Sequence, residues 1–582
     1  MIERFTFFLI SVFHLFYVNS QTISHGPVIG GMTDTEFKIY VRSVDAVNVK
    51  IDLSESILFL NPISASSNID YQKDSSIIIT VSGLQPNTEY YYKVFLDNVH
   101  VFNDQISTFP SEGQIGNYVF GVGSCVSHNH PQQIVDVIRM NYPSLFIYTG
   151  DWGYPDQLYG NSNNYFPSIT GAIENSYHDR YSDIYAKSML ANIPVDYVYD
   201  DHDFVKDNCS GQSASSVYFN PNTQQTSLSE NTYSPLLKRN SVIGYDNYFP
   251  HYDLPDTSNG IYHSYKMGNA EFFVLDLRFS RTANTACFVQ DSLGSWTFSP
   301  DSSHTILGNA QKLWLENALL NSNADWKFII SSVTYNKSFS QLMNLMIALQ
   351  DFNFNYNGNT IDGMFLAGIL CDGWAGFPND REWLFNVCND NNVDNVIIIS
   401  GDTHSSAIDD GSNSGFPELM AANLAQENSK IAYYIDSIYV NSLFNIGGQG
   451  INNYNFNYAF GKVEIFGSDS CKLSLIDNYN NIISSHTVLS NSILGNKLQS
   501  NYLDVDIYPN PSSNNITIMT SRKFNGLIQV YSSDGKIQLE SEIMFDGKIN
   551  FDVSDLKNGI YILSLKGFGM KSFVTRYFIV AK

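Results

Sequence analysis

Basic residues are scarce in this chain: 32 lysines and arginines face 57 aspartates and glutamates, a formal net charge of -25 at neutral pH. A surface that grips a nucleic-acid backbone needs clustered Lys and Arg, so no stable nucleic-acid binding is expected. A local cation site can still receive an anionic substrate, so the deficit excludes a mode of binding and not phosphate chemistry. Cysteine is equally sparse. The six, Cys125, Cys209, Cys287, Cys371, Cys388 and Cys471, are scattered without any Cys-x-x-Cys spacing, which argues against a disulfide framework. In an oxidising compartment some could pair, and Cys371 with Cys388 is the closest couple in sequence. Long apolar runs are missing after the first twenty residues, so no transmembrane segment is expected in the mature chain.

What is present points to a folded, exported, multidomain protein. Hydrophobic residues make up 43% and aromatics 14% of the chain, far from a disordered composition. At 582 residues it exceeds one ordinary core and is expected to divide into domains. Residues 1–20 open with Glu3 and Arg4, continue through an apolar run to Val18, and close on Asn19-Ser20. About 14 apolar residues are short for a membrane span, so this stretch reads as a cleaved signal peptide.

Residues 21–112 alternate β-rich runs, Phe37 to Val41, Val47 to Leu53 and Ser76 to Val81, with turn residues, which predicts a β-sandwich. The Pro86-Asn87 turn followed by the Tyr-rich run Glu89 to Val94 is similar to a late strand of a fibronectin type III domain. Residues 116–485 alternate apolar strands, at 118–122, 144–149, 195–199, 270–275, 326–331 and 395–400, with helical patterns. One such helix is expected over 309–320, with Leu313, Leu315, Ala318 and Leu319 as its apolar stripe. This alternation predicts an α/β sheet covered on both faces, with the polar insertions 207–232 and 283–305 as surface loops. Residues 486–503 read as a linker. Residues 504–582 form a last small β unit. Its Tyr508-Pro-Asn-Pro511 opening, Asp534-Gly-Lys536 hairpin and Asn558-Gly-Ile-Tyr561 strand resemble the C-terminal sorting domain of type IX secretion cargo. That resemblance implies type IX machinery as a partner and a secreted or cell-surface location reached through the periplasm.

Four segments at strand ends carry ligand-type side chains: Gly123-Ser-Cys125, Gly150-Asp-Trp-Gly-Tyr154, Asp200-Asp-His-Asp203 and Ser400-Gly-Asp-Thr-His404. A sheet of parallel strands gathers such ends along one edge, so residues far apart in sequence can share a pocket. Singly, each has a plainer reading: a buried thiol, a turn carboxylate, a helix cap, a core histidine.

The four together, with Phe272 to Arg278, Ile306 to Leu315, Ala324-Asp-Trp-Lys327 and Asp372-Gly-Trp-Ala-Gly-Phe377, resemble the alkaline phosphatase D (PhoD-like) branch of the metallophosphoesterases over roughly 22–480. Asp203 stands where that family commonly has Glu, Leu277 where it has Thr, and Ala375 where it has Asp. The resemblance implies a four-layer α/β metallophosphoesterase sandwich between an N-terminal β-sandwich and a small C-terminal one. It also implies a secreted hydrolase that cleaves phosphate esters by in-line attack of a metal-activated hydroxide. By motif matching, Cys125, Asp151, Tyr154 and His404 would hold one ion. Asp151 would bridge to a second ion at Asp201, Asp372 and Asp402, with Asn208 as a further contact to that ion or to substrate. Phenolate with carboxylate suits Fe3+ and an all-oxygen site suits Ca2+, with Zn2+ or Mn2+ as alternatives. His202 is the candidate acid beside the metals, Asp151 the bridging catalytic carboxylate, and Arg278 a candidate phosphate contact or else a structural ion pair. Two other readings are weighed: a phosphodiesterase, phospholipase-like or nuclease activity at the same site, and a surface binding protein on an inactive phosphatase scaffold.

Overall fold

Apolar, β-branched runs with no alternation of burial dominate the middle of the chain, and such runs stack as parallel strands covered on both faces. A computed structural model describes residues 21–127, 129–160, 169–356, 359–426, 443–449, 457–490, 505–520, 523–532, 536–568 and 574–582. The expected signal peptide, most of the expected linker and the Asp534-Gly535 turn lie outside these residues.

Two sheets face each other. In the first, Asn117–Gly123, Phe146–Tyr148, Val195–Tyr197 and His25–Gly30 run parallel. Antiparallel strands flank them: Ala459–Phe466, Ser470–Asp477 and Ile482–Leu489 on one side, Glu36–Arg42 and Ser76–Ser82 on the other. In the second, Ala270–Val274, Trp326–Ile330, Val396–Ser400 and Glu418–Ala421 are parallel, and every residue of these four strands is buried. The Phe120 ring meets Phe272 and Phe328 edge-on, with centroids 5.0 and 4.9 Å apart, locking one sheet face on the other. Helices pack outside, among them Gln132–Met140, which turns Ile134, Val135, Val137 and Ile138 inward.

The structure departs from several expectations. The helix over 309–320 forms as Gly308–Asn321, but its buried stripe is Gln311, Leu315 and Leu319, while Leu313 is 63% exposed. Residues i, i+4 and i+8 share a helix face, and Leu313 falls off it. The insertions 207–232 and 283–305 are not plain loops. They carry the hairpins Ser213–Asn220 with Gln225–Thr232, and Phe288–Gln290 with Trp296–Phe298. Their polar composition hides the strands, because these hairpins lie outside the two main sheets and need few apolar residues. Strand Ile482–Leu489 runs into the stretch expected to be linker. Residues 21–112 do not form a detached module. Their four-stranded sheet, built on Asn48–Ser54 and Glu89–Leu96, faces strands that continue the first main sheet through the Gly30 and Val195 pairing. Buried Tyr92 also donates from its hydroxyl to the Ala191 carbonyl at 2.7 Å.

The C-terminal unit has a three-stranded and a four-stranded sheet around a core of its own, including Ile516, Ile518, Val530, Leu563 and Phe578. Because that core is self-contained, a chain ending at residue 503 should keep the metal-site geometry and the catalytic rate of the full chain. In a host with type IX export the truncated chain should collect in the periplasm. Measuring turnover and cell-fraction distribution of both chains checks the two halves separately.

Candidate metal centre

The parallel strands of both sheets end along one edge, and the turns that leave them are sharp. Cys125, Asp151, Tyr154, Asn208, Asp402 and His404 all take left-handed backbone angles, with φ of 61, 56, 49, 55, 72 and 50°. Each such non-glycine residue costs roughly 1–2 kcal/mol. Strain gathered at one place and held by surrounding structure marks a functional site. Gly150, at φ 94°, makes the convergence possible, since a Cβ there would lie 2.4 Å from the Cβ of Asp200. The turn after Phe146–Tyr148 therefore packs directly on the turn after Val195–Tyr197. The loops are stitched by main-chain bonds, the Cys125 amide donating to the Gly150 carbonyl at 3.3 Å and Val126 to Asp151 at 2.8 Å.

Side chains converge accordingly. The Tyr154 hydroxyl donates to Asp151 Oδ2 at 3.1 Å, and its oxygen lies 2.7 Å from His404 Nε2. Cys125 Sγ sits 3.7 Å from the same Asp151 oxygen. Three overlapping groups each bring their ligand atoms within 4.8 Å of one another: Cys125, Asp151 and His404; Asp151, Asp201 and His202; Asp200, Asp201 and Asp402. Asp151 and Asp201 each belong to two of them, linking the three groups into one cluster. Asp151 Oδ1 is buried with no hydrogen-bond partner, as is Oδ2 of Asp200. Buried carboxylate oxygens are rarely left so unless a cation faces them. The charge balance agrees. Burial, reinforced by Asp201 and Asp200 against the pull of His202, pushes the Asp151 carboxyl well above the usual carboxylate range. Burial and the neighbouring Asp200 do the same to Asp402. Burial, with the charge on His202, drops His404 to about 4, leaving a neutral imidazole suited to ligation. Thiol, phenol, imidazole and carboxylate at the first group, with carboxylates at the second, fit one ion of mixed hard and soft preference beside one of oxygen preference.

His202 stands beside this cluster with its ring 4.3 Å from that of Tyr154. Nδ1 lies 2.9 Å from both carboxylate oxygens of Asp156, a fully buried residue absent from the sequence-derived set. Burial opposes a charge on His202, yet Asp201, Asp151 and Asp156 together hold the imidazole well above its ordinary range. Asp156 follows Tyr154 by two residues, where Pro155 starts a short helix, and only that proximity to the motif could have signalled it.

Two expected residues take other places. Asp372 is not brought into the ligand groups: its Oδ1 accepts from Arg278 at 2.9 Å and from Asn284 Nδ2 at 2.6 Å, and its Oδ2 from Arg278 at 2.8 Å. Arg278 in turn is fully buried and spends further donors on Asp200 Oδ1 at 2.6 Å and the Cys209 carbonyl at 3.0 Å. With four of its five N–H donors so engaged and its side chain fully buried, Arg278 has the surroundings of a structural ion pair anchored on Asp372. Asp200, which the sequence suggested only as a cap, takes the position beside Asp201 and Asp402. It does cap the helix Asp201–Phe204, in a reciprocal capping box with Asp203. Asn208 donates its amide to Asp201 Oδ2 at 2.6 Å, fixing that carboxylate at the edge of the cluster.

Residues 120–460, more than half of the chain, match the family model described as PhoD-like phosphatase. The chain belongs to the PhoD-like phosphatases. Residues 506–580 match the Secretion system C-terminal sorting domain, which marks the chain as secreted or displayed at the cell surface. Residues 20–114 match a domain of unknown function. Alkaline phosphatase D of Bacillus subtilis (strain 168) is 25% identical over 354 residues, which are 57% of this chain and 53% of that protein. The chain thus spans about half the length of this curated relative. A solved structure titled "Structure of PhoD" aligns with TM-score 0.59 at 19% identity, covering 81% of this chain and 91% of that one, which shows a shared fold. No helix among the described residues is long and apolar enough to cross a membrane.

The Asp156 contact yields a test within this PhoD-like site. Asp156→Asn keeps the side-chain volume but removes the charge that orients and sustains a proton on His202, so kcat should fall about 10–100-fold with metal content unchanged. Turnover and elemental analysis on the same preparation check it. Loss of metal instead would make Asp156 part of the ligand scaffold.

Proposed function

We propose that this chain is an exported alkaline phosphatase D-like hydrolase that cleaves phosphate esters at a two-metal centre. The observation that carries this reading is the chain of overlapping ligand groups that runs from Cys125 and His404 through Asp151 and Asp201 to Asp402, with Tyr154 against His404 and Asp151 Oδ1 buried without a partner. Cys125, Asp151, Tyr154 and His404 would hold Fe3+. Asp151, Asp201 and Asp402, with Asp200 beside them, would hold Ca2+, and Zn2+ or Mn2+ are the alternatives. Bound there, a cation pair supplies Lewis-acid polarisation of phosphoryl oxygens and makes water acidic enough to serve as a nucleophile near neutral pH.

The chain's own residues do the rest. Asp151 belongs to both neighbouring ligand groups and would set their spacing. Tyr154 and Cys125, both buried, close the floor of the site against bulk water. His202, with Nδ1 held by Asp156, is left to donate a proton from Nε2 to the departing ester oxygen; that nitrogen also lies 3.4 Å from half-exposed Asp207. Asn208 borders the site from the insertion that carries the first hairpin, and that insertion would shape access for substrate. The same reading takes the architecture as a four-layer metallophosphoesterase sandwich over 116–485. It is flanked by the β domain 21–112 and by the sorting domain 504–582, which would engage type IX machinery.

Two measurements test the reading. Asp151→Asn removes the charge shared by both ligand groups, so at least one metal and nearly all turnover should be lost while the far-ultraviolet circular dichroism is preserved. Both metals retained with normal activity would overturn the assignment. If Tyr154 ligates ferric iron as a phenolate, the purified protein should be coloured, and Tyr154→Phe should abolish the band while preserving packing. Zinc gives no such band. A colourless, iron-free and fully active preparation would remove iron from the proposal and leave the phosphoesterase standing.

A further inference from the structure

Cys287 and Cys371 are 84 positions apart in sequence, are both fully buried, and lie in the same apolar cluster behind the metal centre. Their surroundings are tied together independently of the thiols. Asn284, which begins the short helix Asn284–Cys287, donates from Nδ2 to Asp372 Oδ1 at 2.6 Å, and Asp372 directly follows Cys371. Arg281 also donates to the Asp372 carbonyl. The Cys371 thiol is pushed well above its ordinary range by the Cys287 side chain first and by burial second, so the two thiols are neighbours. Each is otherwise turned toward a local carbonyl, Cys287 Sγ to Asn284 at 3.2 Å and Cys371 Sγ to Gly368 at 3.1 Å. The couple nearest in sequence, Cys371 and Cys388, is not the pair that meets: Cys388 lies in a different cluster, on the buried face of the helix Pro378–Asp390.

We propose that Cys287 and Cys371 form a disulfide in the exported chain, pinning the 283–305 insertion to the turn that carries Asp372. The inference rests on the chain reaching an oxidising compartment, which its sorting domain indicates. The exchange balances with a disulfide-bearing thiol oxidase as acceptor. Two S–H bonds break and one S–S bond forms, and the two electrons and two protons end on the acceptor as its two thiols. Since both sulfurs are buried in the finished fold, the exchange takes place during folding, before the cluster closes. The bond would stiffen the anchor of Arg278 through Asp372, and Arg278 holds Asp200 at the metal groups. Neither cysteine touches the site, so the cross-link acts on stability and on geometry and not on the chemistry.

The test uses the full chain, sent to an oxidising bacterial periplasm by a borrowed leader, so that a failure of the native export signal cannot be mistaken for a failure of the bond. Denaturing alkylation should count four free thiols before reduction and six after, and peptide mapping should find Cys287 joined to Cys371. Dithiothreitol should lower Tm of this protein by about 3–6 °C. It should leave the Cys287→Ser, Cys371→Ser double variant unchanged, a control for any metal the reagent removes. Six free thiols in the periplasmic protein, or a bond joining either residue to another cysteine, would overturn the proposal.

Discussion

Carboxylates buried side by side cannot all remain charged unless positive charge is brought to them, and the fold of this chain is arranged around that constraint. Buried Asp151, Asp200 and Asp201 and half-buried Asp402 share one edge of two facing sheets. Protein cations answer part of the charge. Arg278 spans Asp200 and Asp372, and His202 sits against Asp201 and Asp156. The result is uneven. Arg278 and His202 overcome the effect of burial and hold Asp201 below the usual carboxylate range, while burial raises Asp200 to about 6 even with Arg278 beside it. What the side chains leave uncompensated is the space between Asp151 and its neighbours, which is where the ligand groups overlap.

Support for that edge comes from far along the chain. The sheet carrying Cys125, Asp151 and Asp201 is extended by strands from the first hundred residues, and the facing sheet supplies Asp402 and His404. Aromatic packing between the sheets, with Phe120 against Phe272 and Phe328, holds the two sets of strand ends at fixed separation. The left-handed Cys125 and Asp151 can then be tolerated, because main-chain bonds from neighbouring turns hold them. Catalytic geometry is thus a property of sheet packing first and of loops second. The hairpins in the two insertions and the self-contained C-terminal unit are added around this frame.

Much of the site was legible from local patterns. Short apolar runs ending in Gly-Asp or Gly-Ser-Cys announce buried parallel strands and their turns, and the five ligand-type residues on such turns, Cys125, Asp151, Tyr154, Asp402 and His404, come together in the structure. Period-based reading succeeded wherever burial was uniform and failed where polar residues form strands, as in the hairpin of Ser213–Asn220 with Gln225–Thr232. Resemblance placed Asp372 among the ligands and left Arg278 open between phosphate contact and ion pair. Neither question can be decided from residue type, since a carboxylate serves a guanidinium as readily as a cation.

Sequence by itself determined that Cys125, Asp151, Tyr154, Asp201, His202, Asp402 and His404 fall at the ends of predicted strands, and it determined the sorting tail, because each is written in a contiguous motif. Only the tertiary structure decided which carboxylates face the cluster and which face Arg278, that Asp156 holds His202, that the N-terminal strands continue the catalytic sheet, and that Cys287 and not Cys388 meets Cys371. Those outcomes depend on distances between segments tens to hundreds of residues apart. Such distances are set by how the two sheets pack, and no local pattern encodes them.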